Sequence, residues 1–86
     1  MNKEISLKIQ GEAIRFNVTP ELYHKYIDEV QMTKKVAPAH NFLMRAVAKE
    51  DKDALRKILD LPGAAVQIVG QVIEEYAPDL EILLGE

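Results

Sequence analysis

The chain has 86 residues, no cysteine and a formal net charge of -3, which comes from 11 basic and 14 acidic side chains. A domain of this length buries only about 60–65% of its unfolded surface, so it often relies on a disulfide, a metal or a partner subunit. The composition excludes disulfides and thiolate metal sites, and the acidic balance argues against nucleic acid as a partner. We therefore predict a single domain, 1–86, that forms a homo-oligomer.

The hydropathy pattern argues against both disorder and a membrane anchor. Hydrophobic residues make up 48% of the chain, which is too many for a disordered segment. No apolar run approaches the ~18 residues that a membrane span needs, and residues 1–4 do not begin a signal peptide. We expect a cytoplasmic protein with no membrane partner.

Residues 4–18 predict a β-hairpin, because apolar and polar side chains alternate on both sides of Gly11. As the first central residue of a two-residue type II′ turn, this glycine would pair Ile9 with Ile14 and Ile5 with Val18. That register places all the apolar residues on one face, which must pack against another element. The alternating apolar residues are Ile5, Leu7, Ile9, Ile14, Phe16 and Val18.

Two helices are predicted next, at residues 20–30 and 38–49. Thr19 is a favourable N-cap, and Pro20 suits the first helical position. Ala37 precedes a proline, which disfavours the helical conformation there, so the second helix is expected to begin at Pro38. Residues 31–37 then form a connecting segment.

Residues 51–60 predict a third helix with Asp51 as its N-cap. The sequence leaves open whether a break separates this helix from the one before it. Residues 62–76 are ambiguous, because β-branched residues favour a strand whereas the length and Pro62 at the start favour a helix. We predict a helix, and its wide apolar arc requires a second neighbour that another subunit could supply.

Leu80, Ile82 and Leu84 alternate with Glu81 and Leu83, so residues 80–84 predict a short C-terminal strand. This strand could pair with one edge of the hairpin or stay open for a partner. The predicted fold class is therefore α+β, with an N-terminal hairpin, three to four helices and a short C-terminal strand.

The sequence offers no catalytic, cofactor-binding or metal-binding constellation. His24 and His40 stand alone on predicted helices, where a lone histidine is usually a surface or capping residue. Glu74, Glu75 and Asp79 cluster without a histidine or a metal-ligand spacing, which is typical of a solvated face. We predict that the protein is not an enzyme and needs no cofactor.

Four runs of sequence carry a resemblance to a known family: 17–20 (NVTP), 35–43 (KVAPAHNFL), 62–64 (PGA) and 74–80 (EEYAPDL). In order and in overall length they resemble the small tail assembly chaperones of long-tailed bacteriophages and prophages. The resemblance implies binding to the tape measure protein, a long, aggregation-prone helical chain, and recruitment of tail tube subunits around it. It also implies absence from the finished virion.

The alternative is a small oligomeric regulatory or antitoxin-like module, although no predicted helix has the basic face that DNA recognition needs. For the chaperone hypothesis we expect a partner-binding groove between the helices at 38–49 and 62–76. The expected partner-binding residues are Phe42, Met44, Val66, Val69, Ile73 and Tyr76.

Overall fold

The computed structural model describes residues 2–77, 80 and 82–85. Within these residues, two antiparallel strands are followed by four α-helices, which confirms the predicted α+β class and the N-terminal hairpin. The elements are β1 (Lys3–Ile9), β2 (Glu12–Val18), α1 (Pro20–Glu29), α2 (Val36–Ala46), a 3₁₀ helix (Lys49–Asp51), α3 (Lys52–Leu59) and α4 (Ala64–Tyr76).

The predicted turn of the hairpin was wrong by one residue, and the predicted register was therefore wrong by two. The turn is centred on Gln10 and Gly11, whose φ angles of 51° and 81° are the positive values that a type I′ turn requires. Ile9 therefore pairs with Glu12, and every later pair is shifted accordingly. A shift of two residues keeps each side chain on its original face, so the hydrophobic pattern alone could not distinguish the two registers.

Helix α1 begins at Pro20 as predicted, because the backbone N–H of Leu22 donates to Thr19 Oγ1 at 3.2 Å. The helix contains no buried residue. Its inner face meets the rest of the protein through tyrosine rings, with Tyr26 lying 5.4 Å from the Phe42 ring of α2. The helix is thus attached to the surface of the core.

Helix α2 begins at Val36, two residues earlier than predicted. Pro38 still lies in the first turn, where its missing N–H costs no helical hydrogen bond, so the pre-proline penalty at Ala37 did not decide the boundary. The helix ends at Ala46, and the chain then becomes extended at Val47. The possible break before the third helix is therefore real.

The extended segment after α2 joins the free side of β2. Val47 forms a bridge with Phe16, and the backbone N–H of Ala48 donates to the Arg15 carbonyl oxygen at 2.8 Å. Asp51 precedes α3 as predicted, but its side chain does not cap that helix. Its Oδ2 accepts from both the backbone N–H and Nε of Arg15, each at 3.0 Å.

Helix α4 settles the ambiguous segment in favour of helix, beginning at Ala64 rather than at residue 62. Gly63 has a φ of 74°, which glycine adopts without the steric penalty of a Cβ, and this turn separates α3 from α4. The inner faces of the hairpin and of α2, α3 and α4 enclose one hydrophobic core. Its largest fully buried side chains are Ile14, Phe16, Val18, Phe42, Leu43, Leu55 and Val72.

The predicted C-terminal strand, residues 80–84, does not appear among the described residues of that segment. Residues 80 and 82–84 have no strand assignment, and Glu81 lies outside the described residues. The four apolar side chains of this segment are between 71% and 98% exposed, so they pack against nothing that the structure describes. Partial alternation was not sufficient to make a strand without a surface to pair with.

Candidate functional site

A groove of about 240 Å³ lies between the beginnings of α2 and α4. Val36 and His40 of α2 line one side, and residues 64–66 of α4 line the other. The turn between α3 and α4 closes the end, with Asp60 at its rim. We call this feature the α2–α4 groove.

The α2–α4 groove gathers most of the exposed apolar side chains of residues 2–77. Large hydrophobic side chains are exposed at five positions in that range, and three of them line this groove: Val36, Leu61 and Val66 are 63%, 47% and 41% exposed. Exposed apolar residues scattered singly are ordinary, whereas a cluster indicates a binding surface. The groove is thus the best candidate for a partner site.

Two basic residues immediately precede the groove residue Val36 in the sequence. They are Lys34 and Lys35, and neither forms an ion pair within the described residues. Both α2 and α4 begin at the groove, and neither has an acidic residue in its first turn to offset the positive end of the helix dipole. Asp60, which lines the groove, is an acidic residue close to these positive helix ends.

The structure places the six predicted partner-binding residues in three environments. Phe42 and Val69 are 1% and 4% exposed and belong to the core, so no partner can reach them in this conformation. Val66 lines the groove, whereas Met44, Ile73 and Tyr76 are partly buried at the edge of the core.

Helical spacing relates two of these residues to the groove. Met44 is four residues after His40 and eight after Val36, so the three share one side of α2. Ile73 is seven residues after Val66 and shares one side of α4 with it. Met44 and Ile73 thus lie further along the two helices, on the sides that face the groove at its end, and neither lines the groove itself.

Sequence reasoning missed Val36, His40 and Leu61 as groove residues. Val36 lay in the predicted connecting segment, Leu61 lay between the helices predicted at residues 51–60 and 62–76, and His40 was assigned to the surface. A signal was present, because an apolar residue in a connecting segment has no predicted core face to join. Val36 and Leu61 each lie just before the start of a predicted helix, and together they would have indicated the site.

Three tyrosines lie at the edge of the core, away from full burial. The Tyr23 and Tyr76 rings, from α1 and α4, have centroids 5.6 Å apart. Burial raises the pKa of the Tyr26 hydroxyl above its ordinary value. These rings attach α1 to α2 and α4, which is a structural role.

Comparison with known proteins assigns the chain to a family. A family model described as phage tail assembly chaperone matches residues 5–85. The chain belongs to this family. The chaperone is also 27% identical over 82 residues to an uncharacterized 11.3 kDa protein, from the region 3′ of lys, of Haemophilus phage HP1. That match covers 95% of the chaperone and 80% of the phage HP1 protein, and no solved structure matches the chain.

The part of the chaperone that the structure describes contains neither a metal-binding cluster nor a membrane-spanning helix. Among those residues, no three His, Asp or Glu side chains converge closely enough to hold a metal ion. None of the helices described is both long and apolar enough to cross a lipid bilayer.

Proposed function

We propose that this chaperone binds the tape measure protein of a phage tail, keeps it soluble and helps to recruit tail tube subunits around it, leaving before the virion is complete. The observation that carries the proposal is the α2–α4 groove, which gathers three of the five exposed large apolar side chains of residues 2–77. Membership of the tail assembly chaperone family supports a tail protein as the partner.

The shape of the groove suits an amphipathic helix. Two helices flank it, and each contributes an apolar row at helical spacing, one from Val36 to Met44 and the other from Val66 to Ile73. An amphipathic helix binds such a groove by burying residues spaced at i, i+3, i+4 and i+7. A long helical tape measure protein repeats such segments, so several copies of the chaperone could cover it.

Gly70 supports the same docking mode. It lies on α4 between Val66 and Ile73, four residues after the first and three before the second, and a Cβ placed there would meet nothing within 4 Å. A glycine within a helix costs roughly 0.8–1.0 kcal/mol relative to alanine, so its presence needs a reason. The absence of a side chain lets the backbone of a partner helix approach closely.

Gly70→Ala separates folding from binding, because the two effects have opposite signs. We expect the variant to increase the free energy of unfolding by up to about 1 kcal/mol, since the added methyl group meets open space and improves helix propensity. We also expect weaker binding to the tape measure protein, because the methyl group keeps the partner helix further away. Urea denaturation and pull-down measure the two effects, and unchanged binding would remove Gly70 from the docking surface.

The direct test is co-expression of the chaperone with the tape measure protein of the same phage genome. We expect the tape measure protein to become soluble and to co-purify with the chaperone. Met44→Asp and Val66→Asp should each reduce co-purification, whereas Gln71→Asp should not, because it adds the same charge on another side of α4. Thermal unfolding shows whether each variant is folded.

Two outcomes would count against the proposal. A tape measure protein that stays insoluble and unbound when the wild-type chaperone is present would remove the proposed partner. Binding that survives Met44→Asp and Val66→Asp in folded protein would instead keep the partner and reject the α2–α4 groove as its site.

A further inference from the structure

One edge of the hairpin has no partner strand among the residues that the structure describes. The sheet there consists of β1 and β2 only, and Val47 joins the far side of β2, so the edge of β1 is the one left open. An open edge presents unpaired backbone N–H and C=O groups, which makes it a template for another strand. No residue of β1 lines the α2–α4 groove, so the two surfaces are distinct.

The hydrogen bonds of β2 show which backbone groups lie on this open edge. Arg15 of β2 is opposite Ser6 of β1. The N–H of Arg15 donates to Asp51 Oδ2 at 3.0 Å, and its carbonyl oxygen accepts from the N–H of Ala48 at 2.8 Å. Opposed residues of an antiparallel pair exchange either both hydrogen bonds or none, so the N–H and C=O of Ser6 point outward, as do those two residues away on either side. The β1 edge, as we call it, consists of Glu4, Ser6 and Lys8.

Strand β1 lacks two of the devices that commonly protect a sheet edge, proline and a bulge. It contains no proline, and its pairing with β2 is continuous from Lys3 to Ile9. Lys3, the charged residue on the same face as the apolar ones, is already bound, because its Nζ donates to the carbonyl oxygen of Glu75 at 2.6 Å. The charges that remain on the β1 edge, at Glu4 and Lys8, have opposite signs.

The sequence of β1 is complementary to itself when two copies run antiparallel. With a two-fold axis at Ser6, residue 3 of one copy is opposite residue 9 of the other, so the whole of β1 is paired. Glu4 of each copy is then opposite Lys8 of the other, and Ile5 is opposite Leu7. Opposite charges and apolar pairs at such positions stabilise a sheet. The residues of the β1 edge also fall in hydrogen-bonded pairs, because their N–H and C=O groups point toward the other copy.

Shifting the axis by one residue in either direction removes this match. It places Lys8 opposite Asn2 in one direction and Glu4 opposite Gln10 in the other, so opposite charges no longer meet. Either shift also leaves part of β1 opposite residues outside the strand. Charge and strand length thus select the register centred on Ser6.

We propose that two copies of this chaperone associate through the β1 edge and form one antiparallel sheet of four strands about a two-fold axis at Ser6. A two-fold interface is self-complementary, so the pairing of Glu4 with Lys8 occurs twice. The apolar face of the sheet continues across the axis, where Leu7, partly buried in one copy, packs beside Ile5 of the other. The association involves this chain alone and does not require the tape measure protein.

Charge exchange tests the occupant and the register together. We expect the wild-type chain to be a dimer by light scattering over a range of concentrations. Glu4→Lys and Lys8→Glu should each raise the dimer dissociation constant by at least about tenfold, because each places like charges opposite each other twice. An equimolar mixture of the two variants should dimerise again, since every such pair then joins a lysine to a glutamate.

The matched control for charge exchange is Lys25→Glu. Lys25 is exposed on α1, so this variant makes the same charge change away from β1 and should leave the dimer intact. Glu4 and Lys8 are exposed as well, and circular dichroism should show that both of their variants are folded.

A disulfide at the axis tests the register. The chain has no cysteine, so an engineered thiol is unique. Ser6→Cys should form a covalent dimer under mild oxidation, because the two Cα atoms would lie about 5.5 Å apart across the axis, within disulfide reach. Asn17→Cys is exposed on β2 and should not crosslink, since the two β2 strands would lie about 14 Å apart.

A different occupant of the β1 edge would give a different result. Residues 80–84 of the same chain, which we call the 80–84 segment, carry four exposed large apolar side chains, and their addition as a strand would leave the chain monomeric. A wild-type chain that is monomeric at every concentration would therefore overturn the proposal. So would a dimer that neither charge variant weakens, or crosslinking through Asn17→Cys in place of Ser6→Cys. None of these results bears on binding to the tape measure protein, which co-expression tests separately.

Discussion

The strand β2 and the 80–84 segment resemble each other in sequence and differ completely in environment. Both place large apolar residues at alternate positions. Ile14, Phe16 and Val18 of β2 are nevertheless 0% exposed, whereas Leu80, Ile82, Leu83 and Leu84 of the 80–84 segment are 71–98% exposed. The difference lies in the neighbours, since β2 pairs with β1 on one edge and meets Val47 on the other. Alternation therefore identifies an apolar face, but the segment forms a strand only where a neighbouring strand pairs with it.

The polar side of β2 adds to this difference. Arg15 donates from its backbone N–H and from Nε to the carboxylate of Asp51, whose side chain is 16% exposed. These hydrogen bonds from Arg15 hold the pKa of Asp51 below its ordinary value, and the same pairing raises the pKa of Arg15. Nothing among the described residues fixes the 80–84 segment in a comparable way.

The largest expected effect is the difference in free energy of unfolding between a buried residue of β2, Phe16, and an exposed residue of the 80–84 segment, Ile82. Phe16→Ala should reduce the free energy of unfolding by about 3–5 kcal/mol, because it removes a fully buried ring and leaves a cavity. Ile82→Ala should change it by less than about 0.5 kcal/mol, since exposed substitutions are usually near neutral. Urea denaturation measures both values, and similar losses from the two variants would show that the 80–84 segment packs within its own chain.

A smaller effect is expected at the turn that sets the register of β2. Gly11 has a φ of 81° and open space around the position of a Cβ, so Gly11→Ala should cost roughly 1–2 kcal/mol from backbone strain alone. Gly85→Ala is the control, because Gly85 has no positive φ and equally open surroundings. Equal thermal unfolding midpoints for the two variants would mean that the type I′ turn does not constrain the hairpin.

The smallest expected effect is pH-dependent and concerns the Arg15–Asp51 pair. The folded-state pKa of Asp51 lies below its unfolded value of about 3.8, so the pair contributes stability above that pH and loses it as the pH falls through the folded-state pKa. Arg15 stays protonated throughout. Asp51→Asn should therefore lower stability near neutral pH and flatten its fall in acid, as measured by urea midpoints at several pH values.

The matched control for this pH dependence is Asp53→Asn. The Asp53 side chain is 91% exposed in its ion pair with Arg56, and such a pair adds little stability. The Asp53→Asn variant should therefore have the urea midpoint of the wild type at every pH. An acid-induced loss of stability that is identical in the wild type and in Asp51→Asn would assign the effect to other carboxylates.

Local signals predicted those parts of the fold that depend on neighbouring residues. Thr19 and Pro20 marked the start of α1 correctly, and the length of the apolar segment after Pro62 correctly favoured helix over strand. The register of the hairpin was missed because it depends on Gln10 adopting a positive φ, for which glutamine has no marked preference. The role of Asp51 was missed because its partner, Arg15, is 36 residues away in the chain.

The candidate site was predictable only in part, for a related reason. Helical periodicity brought Val66 and Met44 to attention, but it also selected Phe42 and Val69, which the structure buries. Periodicity identifies an apolar face and cannot show which residues of that face a neighbouring helix covers. Val36 and Leu61 lie at boundaries between elements, where periodicity carries no information.

Helix α1 contributes no buried residue and lies between two anchored points, the end of β2 and the start of α2. Native proteins open in cooperative units, and units with few buried contacts have the lowest opening free energies. The helix can therefore exchange its amide hydrogens by detaching as one flap, while the hairpin and the other helices stay folded. Detachment would uncover the ring of Phe42, which Tyr26 covers in the closed state.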